Sequence, residues 1–318
     1  MAKILVTSTA VNTPSMPYAL SDYRRVLRAA ECDAIRTHSA VGNPDEADFI
    51  LFVGGRGQFH FDVLRSPLYR AAPQKCFVLD GQDDTLPGLP GIYMTLPQYA
   101  LACGAYCYGF YIRVAENQVL REAAGFDECR HLYSFVGKVA NAPNVRSALM
   151  QLPGERALLR DSSSGQRDQD ASYADVLAQS KFVLCPRGLG ASSWRVFEAM
   201  RTGRSPVIIS DDWRPPPGPR WDEFAVVVPE NQIGSIPQRL EALESSAESM
   251  GRRAYEEWRR HYALDTAFHW IATTLQSIHD RRTEWQHAAN RTRLGHALRH
   301  PRRYRRYFKE CFSMTNDK

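Results

Sequence analysis

Apolar and polar residues alternate along the first half of the chain in blocks that predict strands and helices in turn. "KILVTST" has the pattern of a buried strand, "YALSDYRRVLRAAE" has helical spacing, and "ADFILFVGG" is a second apolar strand. "CFVLDGQDD" predicts a third strand that ends in acids, and "PGIYMTLP" predicts a fourth. Strands that alternate with helices indicate an α/β domain with a parallel sheet.

The second half repeats this alternation more regularly. The strand patterns are "HLYSFVGK", "ERALLRD", "KFVLC" and "DEFAVVVPE", and helical patterns such as "NVRSALMQL", "ASYADVLAQS" and "GSIPQRLEAL" lie between or after them. A βαβ series of this kind predicts parallel strands with right-handed crossovers. We therefore expect an α/β chain of two Rossmann-like, doubly wound domains facing across a cleft, over residues 1–120 and 121–280, with a tail over 281–318.

Length and composition agree with two folded domains. The chain has 318 residues, of which 44% are hydrophobic and 24% charged. It has no apolar run of membrane-spanning length, and its start leads into a strand pattern without a signal peptide, which predicts a cytoplasmic protein. The seven scattered cysteines are typical of reduced core thiols. Cys103 and Cys107 have no second pair at finger-like spacing, so no metal site is expected.

Positive charge is concentrated in the tail. Residues 281–310 contain ten Lys or Arg against two acids, and aromatic and aliphatic residues recur at three-to-four spacing over 294–312. A basic amphipathic helix with aromatics would contact an anionic membrane surface peripherally, on the inner face of the cell membrane, or would dock on the protein itself. Nucleic-acid binding through this tail would leave the two α/β domains without a role, so no nucleic acid is expected.

The stretch "KFVLCPRGLGASSWRVFEAMRTGRSPVII" predicts a strand, a glycine loop, a helix capped by Ser192 or Ser193, and another strand. Arg195 and Glu198 are three residues apart and share one face of that helix. A helix N-terminus with a guanidinium suits a diphosphate, and a carboxylate one turn later suits ribose hydroxyls. The alternative is a surface ion pair worth a few tenths of a kcal/mol beside glycines that only turn the chain.

The same stretch resembles the exostosin family, glycosyltransferase family 47. It contains the family's P-R-G, S-x-R-x-x-E-A, G-x-x-P-V and S-D-x-W elements, and "LYSFVGKVANAPNVRSALMQL" is similar to the opening of the same nucleotide-binding domain. The resemblance implies a GT-B fold and inverting transfer of a sugar from a nucleotide sugar, without the D-x-D metal motif. The chain departs from eukaryotic members in lacking an N-terminal membrane anchor and a cysteine-rich character, which suggests a bacterial, cytosolic relative.

The resemblance also implies a set of donor-site residues. Arg195 would meet the diphosphate, Glu198 the ribose, and Arg187 the phosphates or the donor sugar. Lys138 would add a phosphate contact, or would be an ordinary surface lysine; Asp211 and Asp212 would cap the next turn. The donor-site residues predicted in this way are Gly137, Lys138, Arg187, Gly188, Gly190, Ser192, Ser193, Arg195 and Glu198.

Inversion requires a base that takes the proton of the acceptor hydroxyl. The candidates follow predicted strands of the first half: Asp83 and Asp84 are preferred, and His60 is the third candidate. Each has a structural alternative, as the cap of a turn or as a half-buried loop histidine. Asp80, nearest its strand, is expected to be structural.

Together these features predict an inverting glycosyltransferase, with a UDP-sugar favoured as donor and a glycan or a lipid-linked saccharide as acceptor, in surface polysaccharide synthesis. No cofactor is expected beyond the nucleotide-sugar co-substrate. The alternatives are a fucosyltransferase-like GT-B enzyme that uses a GDP-sugar, and a protein that binds a nucleotide sugar without turning it over.

Overall fold

The computed structural model describes residues 1–9, 17–55, 59–83, 88–96, 100, 104–120, 125–162 and 171–282. The chain forms two compact units. The first comprises Met1–Gly109 together with Phe268–Lys318, and the second comprises Phe110–Ala267. The sequence predicts a first domain that ends at residue 120 and a second domain that ends at residue 280.

The first unit contains a six-stranded parallel sheet in the order β2-β1-β3-β4-β5-β6. Its strands are β1 (Lys3–Thr7), β2 (Ser39–Ala40), β3 (Phe49–Gly54), β4 (Cys76–Asp80), β5 (Gly91–Tyr93) and β6 (Tyr106–Tyr108). Every residue of β3 and β4 is buried, as expected of central parallel strands that are covered on both faces. The strand order reverses between β1 and β3, which is the topological switch point of such a sheet.

Four α-helices of this unit have bounds within the described residues. They are α1 (Pro17–Cys32), α2 (Phe59–Arg65), α3 (Pro67–Ala71) and a C-terminal helix, α9 (Ala267–Asp280). The C-terminal helix packs on the sheet through His279, whose ring contacts Phe49 and Phe77. The aromatic contacts join the last described helix to the central strands of the first sheet.

The second unit contains a five-stranded parallel sheet in the order β11-β10-β9-β7-β8. Its strands are β7 (His131–Gly137), β8 (Ala157–Asp161), β9 (Ser180–Pro186), β10 (Ser205–Ile209) and β11 (Val226–Val228). The order reverses between β7 and β9, so the two sheets share one topology. The helices are α4 (Pro143–Leu149), α5 (Ala171–Ala178), α6 (Trp194–Arg201), α7 (Ile236–Ala242) and α8 (Ala247–His261).

Helix α6 ends at a glycine for a stereochemical reason. Gly203 has φ +71°, a left-handed conformation that glycine adopts without strain, and its N–H donates to the Met200 carbonyl. Helix α8 then crosses close by, because a Cβ placed on Gly251 would lie 2.3 Å from the Gly203 carbonyl oxygen. Two glycines therefore allow α8 to cover α6, the helix that carries the predicted donor residues.

The α/β fold class is confirmed, because each unit contains a Rossmann-like parallel sheet with helices. The sequence patterns did not predict the short strands β2 and β6 or the helices α2 and α3. His60, expected just after a strand, lies in α2. Within the described residues, no helix combines the length and the apolar character needed to cross a bilayer. The predicted tail, 281–318, lies almost entirely outside the described residues.

Candidate functional site

The predicted donor residues lie at the carboxyl end of the second sheet, beside its switch point. Gly137 is the last residue of β7, and residues 187–193 connect β9 to α6. We call this region the β7–β9 edge. Loops that leave neighbouring strands at a switch point turn to opposite sides, which is why open parallel sheets bind ligands there.

Arg195 is held against β7 at this edge. Its side chain is buried, its Nε donates to the Val136 carbonyl at 2.9 Å, and its guanidinium lies 5.4 Å from the centre of the Phe135 ring. A Cβ on Gly137 would lie 2.5 Å from Arg195 Nη2. Gly137 therefore provides the space in which the Arg195 guanidinium lies.

Glu198 is buried on the same side of α6. It is 2% exposed, and its Oε2 accepts a hydrogen bond from the Tyr173 hydroxyl at 2.6 Å. Burial, followed by the Glu198 carboxylate, raises the pKa of Tyr173 well above its ordinary value, whereas Arg195 acts in the opposite direction. The alternative of a surface ion pair is wrong, since Arg195 and Glu198 both face the protein interior.

Tyr173 is a site residue that the sequence did not reveal. It lies in α5, 25 residues before Glu198, and is 1% exposed. The only signal in the sequence is the helical pattern of "ASYADVLAQS". This pattern predicts that Tyr173 is buried, but it does not indicate which residue its hydroxyl contacts. The hydroxyl fixes one carboxylate oxygen of Glu198, so the orientation of this acid is set before any ligand arrives.

Arg187 has an acidic partner that the sequence did not predict. Its Nε lies 2.7 Å from Glu230 Oε1, at the end of β11, and both side chains are partly exposed. Asp211 Oδ1 accepts a hydrogen bond from the Glu230 N–H at 2.9 Å, which is the turn-capping role expected for that aspartate. Asp212 is exposed. The carboxyl ends of β9, β10 and β11 are thus joined by charged groups.

The remaining predicted donor residues have mixed surroundings. Lys138 is exposed, as a surface lysine would be, whereas Gly190, Ser192 and Ser193 are buried. Ser193 occupies the N-cap position of α6, but its side chain makes no capping hydrogen bond. A serine thus occupies the N-cap position that the sequence predicts, but its side chain does not form the capping hydrogen bond.

Arg146 is the other site residue that the sequence reading missed. It lies in α4, is 2% exposed, and donates to carbonyl oxygens on both sides of the β7–β9 edge. Its Nη1 donates to Lys138 O at 2.7 Å and its Nε donates to Arg187 O at 3.1 Å. The stretch "NVRSALMQL" indicated the helix and gave no sign of these long-range bonds.

A family comparison agrees with the position of this site. Residues 126–243 match the Exostosin GT47 domain, a range that contains β7, β9, α6 and every predicted donor residue. The chain thus contains an Exostosin GT47 domain over these residues. The exostosin resemblance suggested by the glycine-loop stretch is therefore confirmed.

Curated exostosins and related glycosyltransferases are similar to parts of the chain. An exostosin-1 homolog of Caenorhabditis elegans is 42% identical over 81 residues, which are 24% of this chain and 21% of that protein. The probable glucuronoxylan glucuronosyltransferase IRX7 of Arabidopsis thaliana is 35% identical over 94 residues, 29% of this chain and 21% of that protein. Exostosin-2 of Bos taurus is 27% identical over 170 residues, 48% of this chain and 23% of that protein. The chain therefore spans about a quarter or less of the length of these relatives.

Among solved structures, the chain has a distant likeness to Anabaena Alr3699/HepE in complex with UDP. The TM-score is 0.40 at 11% sequence identity, over 87% of this chain and 100% of that chain. A likeness this distant establishes no correspondence between individual residues.

The candidates for the catalytic base lie in the first unit. His60 Nε2 lies 2.8 Å from Asp80 Oδ2, and the Asp80 side chain is fully buried at the end of β4. The His60 ring stacks on Tyr93 at 5.9 Å between centroids, and its Nδ1 is buried and has no hydrogen-bond partner within the described residues. Asp83 is exposed, and Asp84 lies outside the described residues. The structure thus brings together His60 and Asp80, the aspartate expected to be structural.

The tyrosines near the end of the first half are core residues. Tyr106, Tyr108 and Tyr111 are each less than a tenth exposed. The described cysteines are free, with Cys76 and Cys185 buried and Cys32 exposed. Burial raises the pKa of the Cys76 thiol to about 12, which is the behaviour of an inert core thiol.

Proposed function

We propose that this chain is an inverting glycosyltransferase that moves a sugar from a nucleoside diphosphate sugar to a glycan or a lipid-linked saccharide. A UDP-sugar is the donor we favour, and surface polysaccharide synthesis is the process we favour. The observation that carries the proposal is the buried pair Arg195 and Glu198, fixed at the switch point inside the exostosin domain.

In this proposal the donor is bound by protein groups, without a metal ion. The Arg195 guanidinium donates to the diphosphate, with Arg187 and the N–H groups of the 187–193 loop beside it. Glu198 accepts hydrogen bonds from the ribose hydroxyls in the orientation that Tyr173 gives it. Positive charge and oriented N–H groups then stabilise the nucleoside diphosphate as it leaves.

His60 is the catalytic base that we favour among the three candidates. In this proposal Asp80 Oδ2 accepts a hydrogen bond from the Nε2–H of His60, which leaves Nδ1 as the ring nitrogen with a free lone pair. The acceptor oxygen forms its bond to the anomeric carbon while the bond from that carbon to the diphosphate oxygen breaks. The acceptor's proton passes to Nδ1, and the nucleoside diphosphate leaves with the electron pair.

Calorimetric titration of the full chain with UDP and with GDP, in EDTA, tests the donor site. We expect UDP to bind without a divalent ion and Arg195→Gln to weaken binding by roughly 10- to 150-fold, the value of one charged hydrogen bond. The control is Arg156→Gln, since the Arg156 side chain is 54% exposed and pairs with Glu244. Binding that requires manganese or magnesium would reject metal-free recognition.

A turnover assay separates an enzyme from a nucleotide-sugar-binding protein. UDP or GDP release is measured from a panel of nucleotide sugars, with oligosaccharide and lipid-linked acceptors. Acceptor-dependent release is expected, whereas binding without release from any donor would favour the non-catalytic alternative. Release from GDP-sugars alone would move the donor assignment to a fucosyltransferase-like specificity.

We also propose that the chain acts in the cytoplasm and contacts an anionic membrane surface through 294–312. The support is the sequence pattern of cations and aromatics, since each cation near such a surface contributes about 1 kcal/mol. Deleting 299–318 should weaken binding to phosphatidylserine vesicles and should leave UDP affinity unchanged. Equal vesicle binding by both proteins would reject the membrane contact.

A further inference from the structure

Arg146 bonds to both loops of the β7–β9 edge, the loop that follows β7 and the loop that follows β9. Its guanidinium reaches the carbonyl oxygens of Lys138, Pro186 and Arg187 at 2.7, 3.5 and 3.1 Å respectively. Lys138 follows β7, Pro186 is the last residue of β9, and Arg187 follows it. A single buried side chain therefore sets the positions of both loops.

The bond to Arg187 determines the direction of the neighbouring N–H group. The Arg187 carbonyl and the Gly188 N–H belong to one peptide unit, and a trans peptide unit directs these groups to opposite sides. No cis peptide bond occurs within the described residues. Because Arg146 holds the Arg187 oxygen, the Gly188 N–H points away from Arg146.

The Gly188 N–H also lacks an acceptor within the described part of the chain. The preceding N–H, that of Arg187, is used differently, since it donates to the Ile209 carbonyl at 3.0 Å. The Gly188 N–H is therefore the first N–H of the loop that does not bond to β10. It belongs to the peptide unit that Arg146 orients. An N–H fixed in this way costs no reorganisation when it meets an anion.

We propose that Arg146 is a positioning residue that turns the Gly188 N–H into a donor for a phosphate oxygen of the nucleoside diphosphate. This inference rests on the proposed function and deepens it, because it assigns part of the diphosphate affinity to a residue that the ligand does not touch. Arg146 acts through its planar fork, which spans two loops. A lysine would bring one ammonium in place of three nitrogens.

The test compares UDP with uridine for Arg146→Gln and Arg146→Lys by calorimetry. Both variants should lose UDP affinity by about tenfold or more, the effect expected for one hydrogen bond to a charged group. Uridine, which lacks the phosphates, should bind each variant as it binds the unmodified chain. A structural role alone would weaken both ligands together, and full rescue by lysine would assign the effect to charge; either result overturns the inference.

A second pair of variants tests the same N–H without disturbing the buried arginine. Gly188→Ala keeps the N–H and is accommodated, because its Cβ would lie 3.5 Å from Arg146 Nη2. Gly188→Pro removes the N–H. UDP affinity should be retained by the alanine variant and lost by the proline variant, and equal affinity would overturn the inference even if the Arg146 variants do not fold.

These results separate the inference from the proposed function. If the unmodified chain binds neither UDP, GDP nor pyrophosphate, the proposed function fails and the inference fails with it. If the unmodified chain binds UDP and the folded Arg146 variants bind it equally well, only the inference fails.

Discussion

Replacing Gly137 with alanine should displace the Arg195 guanidinium and weaken nucleotide binding. The added Cβ would lie 2.5 Å from Nη2 and 2.9 Å from Cζ of Arg195, and 3.0 Å from Cζ of Phe135. Ordinary contacts between carbon atoms are about 3.5–4.0 Å, so the guanidinium must move by about 1 Å. Gly137 is not among the glycines with positive φ, so the substitution tests side-chain space alone.

The energetic effect follows from the bonds that Arg195 would lose. Its Nε–H donates to the Val136 carbonyl at 2.9 Å, and a shift of about 1 Å takes this pair beyond hydrogen-bonding distance. A buried group left without its partner costs about 1–3 kcal/mol, which lowers the melting temperature by roughly 2–4 °C per kcal/mol in a unit of this size. Loss of a charged hydrogen bond to the diphosphate should weaken UDP binding by roughly 10- to 150-fold.

The assay pairs thermal unfolding with UDP calorimetry on two glycine variants. Gly125→Ala is the matched control, because a Cβ there has nothing within 4 Å and the residue lies in the same unit. It should match the unmodified chain in both measurements. If Gly137→Ala unfolds earlier but binds UDP normally, Arg195 is a structural brace and no ligand of the diphosphate. If neither quantity changes, the packing described around Gly137 is wrong.

Three further predictions concern single side chains. Glu198→Gln, which keeps the volume and removes the charge, should weaken UDP by about tenfold and leave pyrophosphate binding unchanged; an equal loss for both would contradict ribose recognition. His60→Gln should reduce turnover by about 10²- to 10⁴-fold at unchanged UDP affinity, whereas Asp83→Asn should not; the reverse result would reassign the base. Burial and the neighbouring His269 lower the pKa of His38, so this residue's contribution to stability is present above about pH 6.5 and is lost as pH falls below it. Thermal unfolding from pH 7.5 to 5.5 should therefore show a smaller decline in His38→Gln than in the unmodified chain.

The order of strands and helices in the second unit could be predicted because each element is a local pattern. The apolar run of β9, the glycine turn and the spacing of α6 are all contained in 29 consecutive residues, 181–209. The helices α2 and α3, at seven and five residues, are too short for helical periodicity to be read. Strand β2, of two residues, has no period at all.

The contacts that complete the site could not be predicted because they join distant parts of the chain. Tyr173 and Glu198 are 25 residues apart, and Arg146 and Arg187 are 41 apart. A single sequence shows that a position is apolar or charged, but it does not show which distant group faces it. In the same way, the sequence gives no sign that Asp80 contacts His60, 20 residues earlier, because this contact exists only in the folded chain.

The burial of Arg195 and Glu198 is itself an argument for a ligand. Removing a cation and a carboxylate from water costs several kcal/mol per ion. Apolar side chains of the same volume often give a folded protein of equal stability, so buried charges of this kind are weak evidence for a role in stability. A helix that served only to cover the sheet would gain more from leucines at these positions. The charges are instead fixed by a backbone carbonyl and by the Tyr173 hydroxyl, beside the loop that the exostosin match contains. In the proposed function, groups fixed in this way need no reorganisation when a diphosphate and a ribose bind, because the desolvation cost has already been met during folding. Arg146 extends the same principle to the backbone, because its buried charge is used to orient peptide groups at the edge where the donor is expected to bind.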